Sequence, residues 1–306
     1  MTEATVTVSG VAKRYRKVEA VKDVSFALNQ GEMVALVGHN GAGKTTIIKL
    51  LLGLIRPSEG SVTVLGEDPA KGDFAVRRSL GYLPESVAFH MALTGRETLA
   101  YYARLKRVDP LTTLPLLERV GLAASAADRP VRTYSKGMRQ RLGLAQALLG
   151  DPRVLLLDEP TSGLDPALRR SFYGLISDLR SAGTTILLSS HALTELEDRT
   201  DRVLIVNEGV KIADGTLDDL RGLARLPTRL IVNLADSEAP GKWGDNSALW
   251  RKTARDTVEA DVFGDDKITV LKKITARPAD IRSLHVVEPT LDDLYAHFLG
   301  SRRAAE

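Results

Sequence analysis

The sequence predicts an α/β fold built on a parallel sheet, with an inserted helical subdomain and a small C-terminal α+β domain. Over residues 5–220, short β-rich runs alternate with helical patterns, which is typical of a parallel sheet covered by helices. Residues 85–150 interrupt this alternation with stretches whose apolar residues recur at helical spacing. After about Gly222 the pattern changes to short β-rich runs followed by one helical stretch. We therefore expect two domains, residues 1–222 and 223–306.

The elements of the larger domain follow from the spacing of its apolar residues. No helical pattern separates the first two β-rich runs, which predicts an antiparallel β layer over Thr5–Val8 and Val21–Leu28. Continuous apolar runs are typical of strands buried on both faces of a parallel sheet, and they occur at Met33–Val37 and Val154–Leu157. A further strand is expected at Thr184–Ser189. Helices of the inserted subdomain are expected over Gly95–Lys106, Thr112–Val120 and Lys136–Leu149.

The C-terminal domain is predicted to contain four strands and a closing helix. The strands are expected at Leu230–Leu234, Val258–Phe263, Ile268–Leu271 and Leu284–Val287, and the helix at Leu291–Leu299. No chemical motif occurs in this region. A regulatory module, a dimerisation surface and a docking site for a partner all stay open as roles for it.

The composition excludes several classes of function. The net charge of +3 over 306 residues is too small for the polybasic face of a DNA-binding protein. There is no cysteine, which excludes disulfides, zinc ribbons and thiol redox chemistry. The apolar runs are far shorter than the ~20 residues that cross a bilayer, and no signal peptide is apparent. We therefore expect a cytoplasmic protein that reaches the inner face of a membrane through a partner.

A glycine-rich loop provides the strongest functional signal. Residues 38–45 match G-x-x-x-x-G-K-[ST] in full, after an apolar strand and before a predicted helix. Backbone N–H groups of such a loop close around phosphate oxygens, and the positive end of the helix adds to the attraction. Lys44 is expected to reach the β- and γ-phosphates of ATP, and Thr45 to bind Mg²⁺. The nucleotide-binding residues predicted here are Gly38, His39, Asn40, Gly41, Ala42, Gly43, Lys44, Thr45 and Thr46.

Two carboxylates end the apolar run Val154–Leu157. Ligands of open α/β sheets bind at the carboxyl ends of the strands, which is where Asp158 and Glu159 lie. Asp158 is therefore expected to hold Mg²⁺, and Glu159 to polarise the attacking water. Asp165 precedes a proline and is predicted to cap the next helix.

A second helix end has an unusual charge. Ser135 is a good N-cap residue for the helix predicted after it. Lys136 lies in the first turn, where a cation opposes the helix dipole. An anion bound at this helix end would resolve the conflict. Because the chain already has one phosphate loop, we expect that anion to be the γ-phosphate of a nucleotide held by another subunit.

Together these motifs resemble the ATP-binding cassette (ABC) family. Residues 38–45 are similar to its Walker A motif, Val154–Glu159 to Walker B, Tyr134–Met138 to the signature loop, Ser162–Asp165 to the D-loop, and His191 to the switch histidine. The resemblance implies a P-loop ABC ATPase core. It also implies that Lys44, Glu159 and His191 serve hydrolysis, and that Tyr15 packs against adenine. A homodimer would enclose two ATP molecules, each also contacted from the other subunit by Ser135, Lys136, Gly137, Met138 and Asp165.

Two positions depart from the usual family pattern. Glu85 occupies the place of a glutamine that serves Mg²⁺ and water, and Met138 the place of the last residue of Leu-Ser-Gly-Gly-Gln. Glu85 is therefore expected near the nucleotide, with a possible part in Mg²⁺ binding. Both substitutions are familiar in the ATPases of ABC-2-type exporters.

A narrower resemblance connects residues 81–106 and 133–150 to the NosF group, the ATPases of nitrous-oxide reductase maturation. It implies a membrane permease, a periplasmic accessory protein and service to a copper centre. The chain itself lacks the Cys, Met or His clusters that copper handling requires. The alternative is the ATPase of a generic ABC-2-type drug or lipid exporter. A minor alternative is a soluble ABC ATPase acting on nucleic acid, but no zinc-binding cysteines or long heptad insertion support it, so no nucleic-acid partner is expected.

Overall fold

The computed structural model describes residues 4–235, 250–264 and 266–303, and the chain divides into two compact units, Met1–Asp214 and Gly215–Glu306. The strands of the first unit are β1 (Ala4–Tyr15), β2 (Val18–Asn29), β3 (Met33–Val37), β4 (Glu59–Val64), β5 (Leu80–Leu83), β6 (Val154–Asp158), β7 (Thr185–Ser190), β8 (Arg202–Asn207) and β9 (Val210–Gly215). Its helices are α1 (Lys44–Leu51), α2 (Phe74–Ser79), α3 (Gly95–Leu105), α4 (Thr113–Arg119), α5 (Ala124–Ala127), α6 (Lys136–Leu148) and α7 (Pro166–Ser181).

A six-stranded sheet in the order β5-β6-β7-β3-β8-β9 forms the centre of the first unit. β3, β6 and β7 are buried along their whole length, because they lie inside a parallel sheet that is covered on both faces. The parallel register pairs Val37 with Ser190 and Asp158 with Ser189. The carboxyl ends of these three strands therefore meet at one edge of the sheet, and the predicted strands are confirmed.

The predicted antiparallel layer is confirmed as a three-stranded sheet in the order β2-β1-β4. Val6 pairs with Leu28 across β1 and β2, and their side chains are buried. This layer shares one apolar core with α1 and with one face of the six-stranded sheet. The core includes Ile48 of α1 and Leu36 of β3, and this packing positions the phosphate loop that joins these two elements.

Helices α3 to α6 lie between β5 and β6 in the chain and form the predicted helical subdomain. The three predicted helices are confirmed, each with ends within two residues of those expected. α3 begins with a capping box between Thr94 and Glu97, which satisfies N–H groups that a helix end leaves unpaired. The longest helix of the first unit, α7, has 16 residues. Within residues 4–235, 250–264 and 266–303, no helix has the length and apolar character to cross a membrane.

Lys106 connects the helical subdomain to the sheet. It follows the last residue of α3, and its Nζ donates hydrogen bonds to the carbonyl of Leu80 in β5 at 2.9 Å and to that of Leu149 at 2.8 Å. Burial, together with the smaller effect of the nearby charge of Arg78, lowers the pKa of Lys106 to about 8. Both acceptors are neutral carbonyls, so no carboxylate compensates for the loss of water around the ammonium group.

The low pKa of Lys106 predicts a pH-dependent stability. In the unfolded chain the lysine keeps its ordinary pKa of 10.5, so between pH 8 and 10.5 the unfolded state binds more protons and stability rises with pH. Relative to Lys106→Met, the wild type should gain on the order of 3 kcal/mol of unfolding free energy across this window. Urea unfolding of both proteins at several pH values measures the difference. Lys49→Met, at an exposed lysine, is the control, and an equal pH dependence for both variants would contradict the prediction.

The described part of the second unit contains a four-stranded sheet in the order β11-β12-β10-β13 and three α-helices. Its elements are α8 (Leu217–Ala224), β10 (Thr228–Leu234), β11 (Trp250–Ala254), β12 (Thr257–Val262), α9 (Asp266–Thr275), β13 (Ile281–Val287) and α10 (Leu291–Arg303). Three of the predicted strands are confirmed, as β10, β12 and β13. The predicted closing helix is confirmed as α10. β11 is an additional strand that was not predicted from the sequence.

One prediction in this unit is wrong. Ile268–Leu271, expected as a strand, lies inside the helix α9. A short apolar run does not distinguish the two structures, and here the burial of Val270 and Ile274, one helical turn apart, shows which face packs on the sheet. The boundary between the units also differs from the one expected after residue 222. α8 starts with a capping box between Thr216 and Asp219 and packs against α10, which places it in the second unit.

Candidate functional site

A cavity of about 600 Å³ lies at the edge of the sheet where β3 and β6 end. It is lined by Tyr15, Ala20, His39, Asn40, Gly41, Gly43, Lys44, Thr45, Thr46, Glu85, Asp158, Glu159 and His191. Apart from Ala20, these residues are the candidate site residues predicted from the sequence, and they come from five separate segments of the chain. The fold thus brings the phosphate loop, both carboxylates, the histidine, Glu85 and the aromatic side chain to one place.

The phosphate loop requires its glycines because the backbone packs closely there. A Cβ at Gly38 would lie 2.4 Å from the carbonyl oxygen of Val206, and Gly43 has a φ of 107°, a conformation that other residues rarely adopt. α1 begins directly at Lys44, with Gly43 as an N-cap that has no side chain to offer. The first N–H groups of α1 are therefore left for a ligand, as expected for a phosphate site at a helix N-terminus.

Lys44 is buried, and its ammonium group lies between the loop and the carboxylates. Nζ donates to the carbonyl oxygens of Gly38 and of His39, the latter at 3.4 Å. Its distance to Oε1 of Glu159 is 3.8 Å. A buried cation that is held by carbonyls and a carboxylate at the mouth of a phosphate loop is placed to meet negatively charged oxygens.

Thr45 and Asp158 place two oxygen ligands next to each other. The Thr45 hydroxyl donates to Oδ2 of Asp158 at 3.2 Å, and the Ser189 hydroxyl donates to Oδ1 of the same carboxylate at 2.6 Å. A hydroxyl and a carboxylate oxygen suit Mg²⁺, a hard cation that prefers oxygen. Behind them, burial and then the charge of Asp158 raise the pKa of Tyr82 to about 12, so its phenol stays neutral beside this carboxylate.

Glu159 has a strained backbone and makes several polar contacts. Its φ of 47° is left-handed, which costs a residue with a side chain roughly 1–2 kcal/mol. Its N–H donates to the hydroxyl of Ser189 at 3.0 Å. Oε2 lies 2.7 Å from Nδ1 of His191. Because a carboxylate only accepts, Nδ1 carries the proton and Nε2 of His191 is left for a further partner.

Tyr15 provides the aromatic side chain that lines the cavity. Tyr15 is 42% exposed, so part of its ring is accessible for stacking. The ammonium group of Lys13 lies 5.2 Å from the ring centroid, and it also donates to the carbonyl of Arg56 at 2.7 Å. The orientation of the ring is thereby supported from within the chain.

The signature and D-loop residues do not line this cavity. Ser135 caps α6 by accepting from the N–H of Met138 at 3.2 Å, and Asp165 caps α7. Lys136 is exposed, and its Nζ lies so close to Gly163 of the D-loop that a Cβ there would be 2.3 Å away. Gly137 packs against Leu168 with similarly little space. The two loops thus contact each other within the subunit, and their residues lie outside the cavity that the chain itself forms.

Sequence reasoning missed three residues around the site. Ala20 lines the cavity, Ser189 holds both Asp158 and the N–H of Glu159, and Gln140 of α6 donates from a buried position to the carbonyl of Pro160 at 3.0 Å. Ser189 could have been noticed as a hydroxyl that directly follows the apolar residues 186–188 of β7. The other two have no local signal, because their partners lie 20 or more residues away in the chain.

Comparison with known proteins supports the same classification. The family model of ABC transporters matches residues 21–162. An uncharacterized ABC transporter ATP-binding protein of Synechocystis is 37% identical over 94% of this chain and 80% of its own length. The daunorubicin resistance ATP-binding protein DrrA3 of Streptomyces coeruleorubidus is 34% identical over 99% of this chain and 98% of its own length.

Solved structures show the same fold. An ATP-binding subunit of an ABC transporter superimposes with a TM-score of 0.67 and 33% identity, over 72% of this chain and 92% of its own. A bacterial ABC transporter cassette in dimeric form gives a TM-score of 0.64 at 23% identity, over 69% of this chain and 98% of its own. The predicted P-loop core with a mixed sheet and an antiparallel β layer is confirmed by these likenesses.

Proposed function

This chain belongs to the ATP-binding subunits of ABC transporters, and from that premise we propose that it powers the export of a drug-like compound through a separate membrane subunit. The chain is an ATPase. One observation supports an exporter above other transporters: the similarity to the daunorubicin resistance protein covers 99% of this chain, the second unit included. Many kinds of transporter share the cassette alone, so similarity over the cassette says little about the type of transporter. Similarity that also covers the second unit narrows the comparison to proteins that carry such a unit.

In the proposed reaction, water attacks the γ-phosphorus, the bond from the γ-phosphorus to the bridging oxygen breaks, and ADP leaves with that oxygen. Glu159 orients the water and takes its proton. Lys44 and the N–H groups of the phosphate loop bind the β- and γ-phosphates, and Nε2 of His191 contacts the γ-phosphate. Tyr15 packs against the adenine. The distances around Glu159 support these roles, since Lys44 and His191 both lie within 4 Å of its carboxylate.

Mg²⁺ would be held by Thr45 and Asp158 together with phosphate oxygens. Among the described residues no cluster of three or more His, Cys, Asp or Glu could hold a metal ion without such help. When bound, Mg²⁺ would neutralise charge on the phosphates. Glu85 lines the same cavity, and its carboxylate is a third oxygen donor available to the ion or to water.

Two copies of the chain would close head to tail around two ATP molecules. Ser135, Lys136, Gly137, Met138 and Asp165 would then face the nucleotide of the other copy. Two observations support this arrangement. These residues lie outside the cavity of their own chain, and within the described part of the chain the ammonium group of Lys136 has no hydrogen-bonding or ionic partner. The closed pair would act from the cytoplasmic face on a permease.

The exporter function can be tested in cells that lack their own drug efflux. The chain and its permease are expressed together, and the accumulation of fluorescent daunorubicin is measured. Wild type should lower the accumulation, and the pair carrying Glu159→Gln should not. Equal accumulation in both, with the two proteins present at the membrane, would argue against export of this class of compound.

A second candidate is maturation of nitrous-oxide reductase, which the resemblance over residues 81–106 favours. It would add a periplasmic accessory protein to the permease. Neither of the two relatives named above carries this description. Deletion of the gene separates the two candidates, because loss of copper from the reductase supports maturation, whereas drug sensitivity with an intact reductase supports export.

A further inference from the structure

We propose that the ion pair between Arg169 and Glu195 is a positioning device for hydrolysis. It connects the loop that follows Glu159 to the turn that follows His191. The inference rests on the proposed roles of those two residues in the reaction, and it assigns a task to a pair that does not line the cavity.

The contacts of Arg169 and Glu195 reach the loop at two points. Arg169, in the first turn of α7, donates from Nε to the carbonyl of Leu164 at 2.9 Å and from Nη1 to Oε1 of Glu195. Oε2 of Glu195 accepts from the hydroxyl of Thr161 at 3.4 Å. Glu195 therefore holds the beginning of the loop 161–164 through Oε2, and Arg169 holds its end through Nε.

This loop needs to be held because Glu159 starts it in a strained conformation. The left-handed φ of Glu159 persists only if the surroundings impose it. Ser189 holds its N–H, Gln140 holds the next carbonyl at Pro160, and Glu195 holds Thr161. Three consecutive residues are thus fixed from three different elements. Of these three contacts, the one from Glu195 also connects the loop to the turn that follows His191.

On the other side, Glu195 ends the short 3-10 turn Leu193–Glu195, four positions after His191. Leu193 and Leu196 anchor this turn in the core. The guanidinium group of Arg199 lies 4.4 Å from the ring centroid of Tyr173, which fixes the following segment on α7 as well. The His191 side chain itself is 66% exposed, and its ring is held by Glu159. The position of the ring therefore depends on where the turn and the loop are held relative to each other.

Stability does not explain this pair. The side chains of Arg169 and Glu195 are 38% and 20% exposed, and ion pairs at such partly exposed positions usually contribute little to folding. A reacting group displaced by about 1 Å, in contrast, can lose up to ~10²-fold in rate. Removal of the pair should therefore change turnover far more than it changes folding.

The chain provides a matched control on the same helix. Arg180, eleven positions further along α7, pairs with Asp201 at side-chain exposures of 38% and 32%, away from the cavity. Arg169→Ala should lower kcat about tenfold or more, with the KM for ATP within about twofold of wild type, because the phosphate loop is untouched. Arg180→Ala should keep the wild-type kcat. Both variants should show a similar, small change in thermal unfolding temperature.

The conservative variant Glu195→Gln tests the geometry. Its amide oxygen still accepts from Arg169, so it should retain most of the kcat that Glu195→Ala loses. Equal kcat values for Arg169→Ala and Arg180→Ala, or losses in kcat that match losses in folded protein, would overturn the positioning role. That result is separable from failure of the proposed chemistry, which would show as full turnover by Glu159→Gln.

Discussion

Replacement of Glu159 by Gln is expected to lower kcat by about 10²–10⁴-fold, because the amide cannot take the proton of the attacking water. ATP binding should stay near the wild-type level, since the phosphates are bound by Lys44 and by the loop N–H groups. The glutamine still accepts from Nδ1 of His191 through its oxygen, so the geometry of the site is largely kept. The variant should therefore accumulate as an ATP-bound dimer.

Steady-state ATPase assays, equilibrium nucleotide binding and size-exclusion chromatography with ATP and Mg²⁺ measure these three effects. Asp198→Asn, which changes a carboxylate that does not line the cavity, is the control and should keep wild-type turnover. A Glu159→Gln protein that turns over ATP at the wild-type rate would exclude Glu159 as the base. One that binds ATP but stays monomeric would count against the sandwich dimer.

Replacement of Ser135 by Arg is expected to reduce turnover to near background without weakening ATP binding to a single subunit. The arginine would occupy the space in which the γ-phosphate bound to the other subunit has to dock. Because Ser135 caps α6, the change also removes a cap that is worth about 1 kcal/mol. Ser135→Asp separates the two effects, since aspartate caps a helix equally well but repels phosphate.

Both Ser135 variants should stay monomeric with ATP in a Glu159→Gln background. Ser125→Arg, at an exposed serine of the same helical subdomain, is the control for bulk and charge and should form the dimer. Wild-type ATPase activity in Ser135→Arg would rule out the assignment of this helix end to the nucleotide of a second subunit.

Most of the candidate site was predictable because its signals are local. The phosphate loop combines glycines, a lysine and a threonine at a spacing that a strand and a helix enclose, and Asp158 and Glu159 directly follow a buried strand. The helices α3 and α6 were predictable from apolar spacing over ten or more residues. α9 was not, because the short β-rich run Ile268–Leu271 fits either structure and only packing on the sheet decides.

The sequence by itself determined the fold class, the phosphate loop and the carboxylate pair, since each depends on residues that are neighbours in the chain. Tertiary structure alone decided how Glu159 is held. Ser189, Gln140 and the pair Arg169–Glu195 lie 10 to 36 positions away from Glu159 in the chain and act on its loop through single hydrogen bonds. Such contacts have no spacing rule, because the packing of β7, α6 and α7 sets which side chains meet.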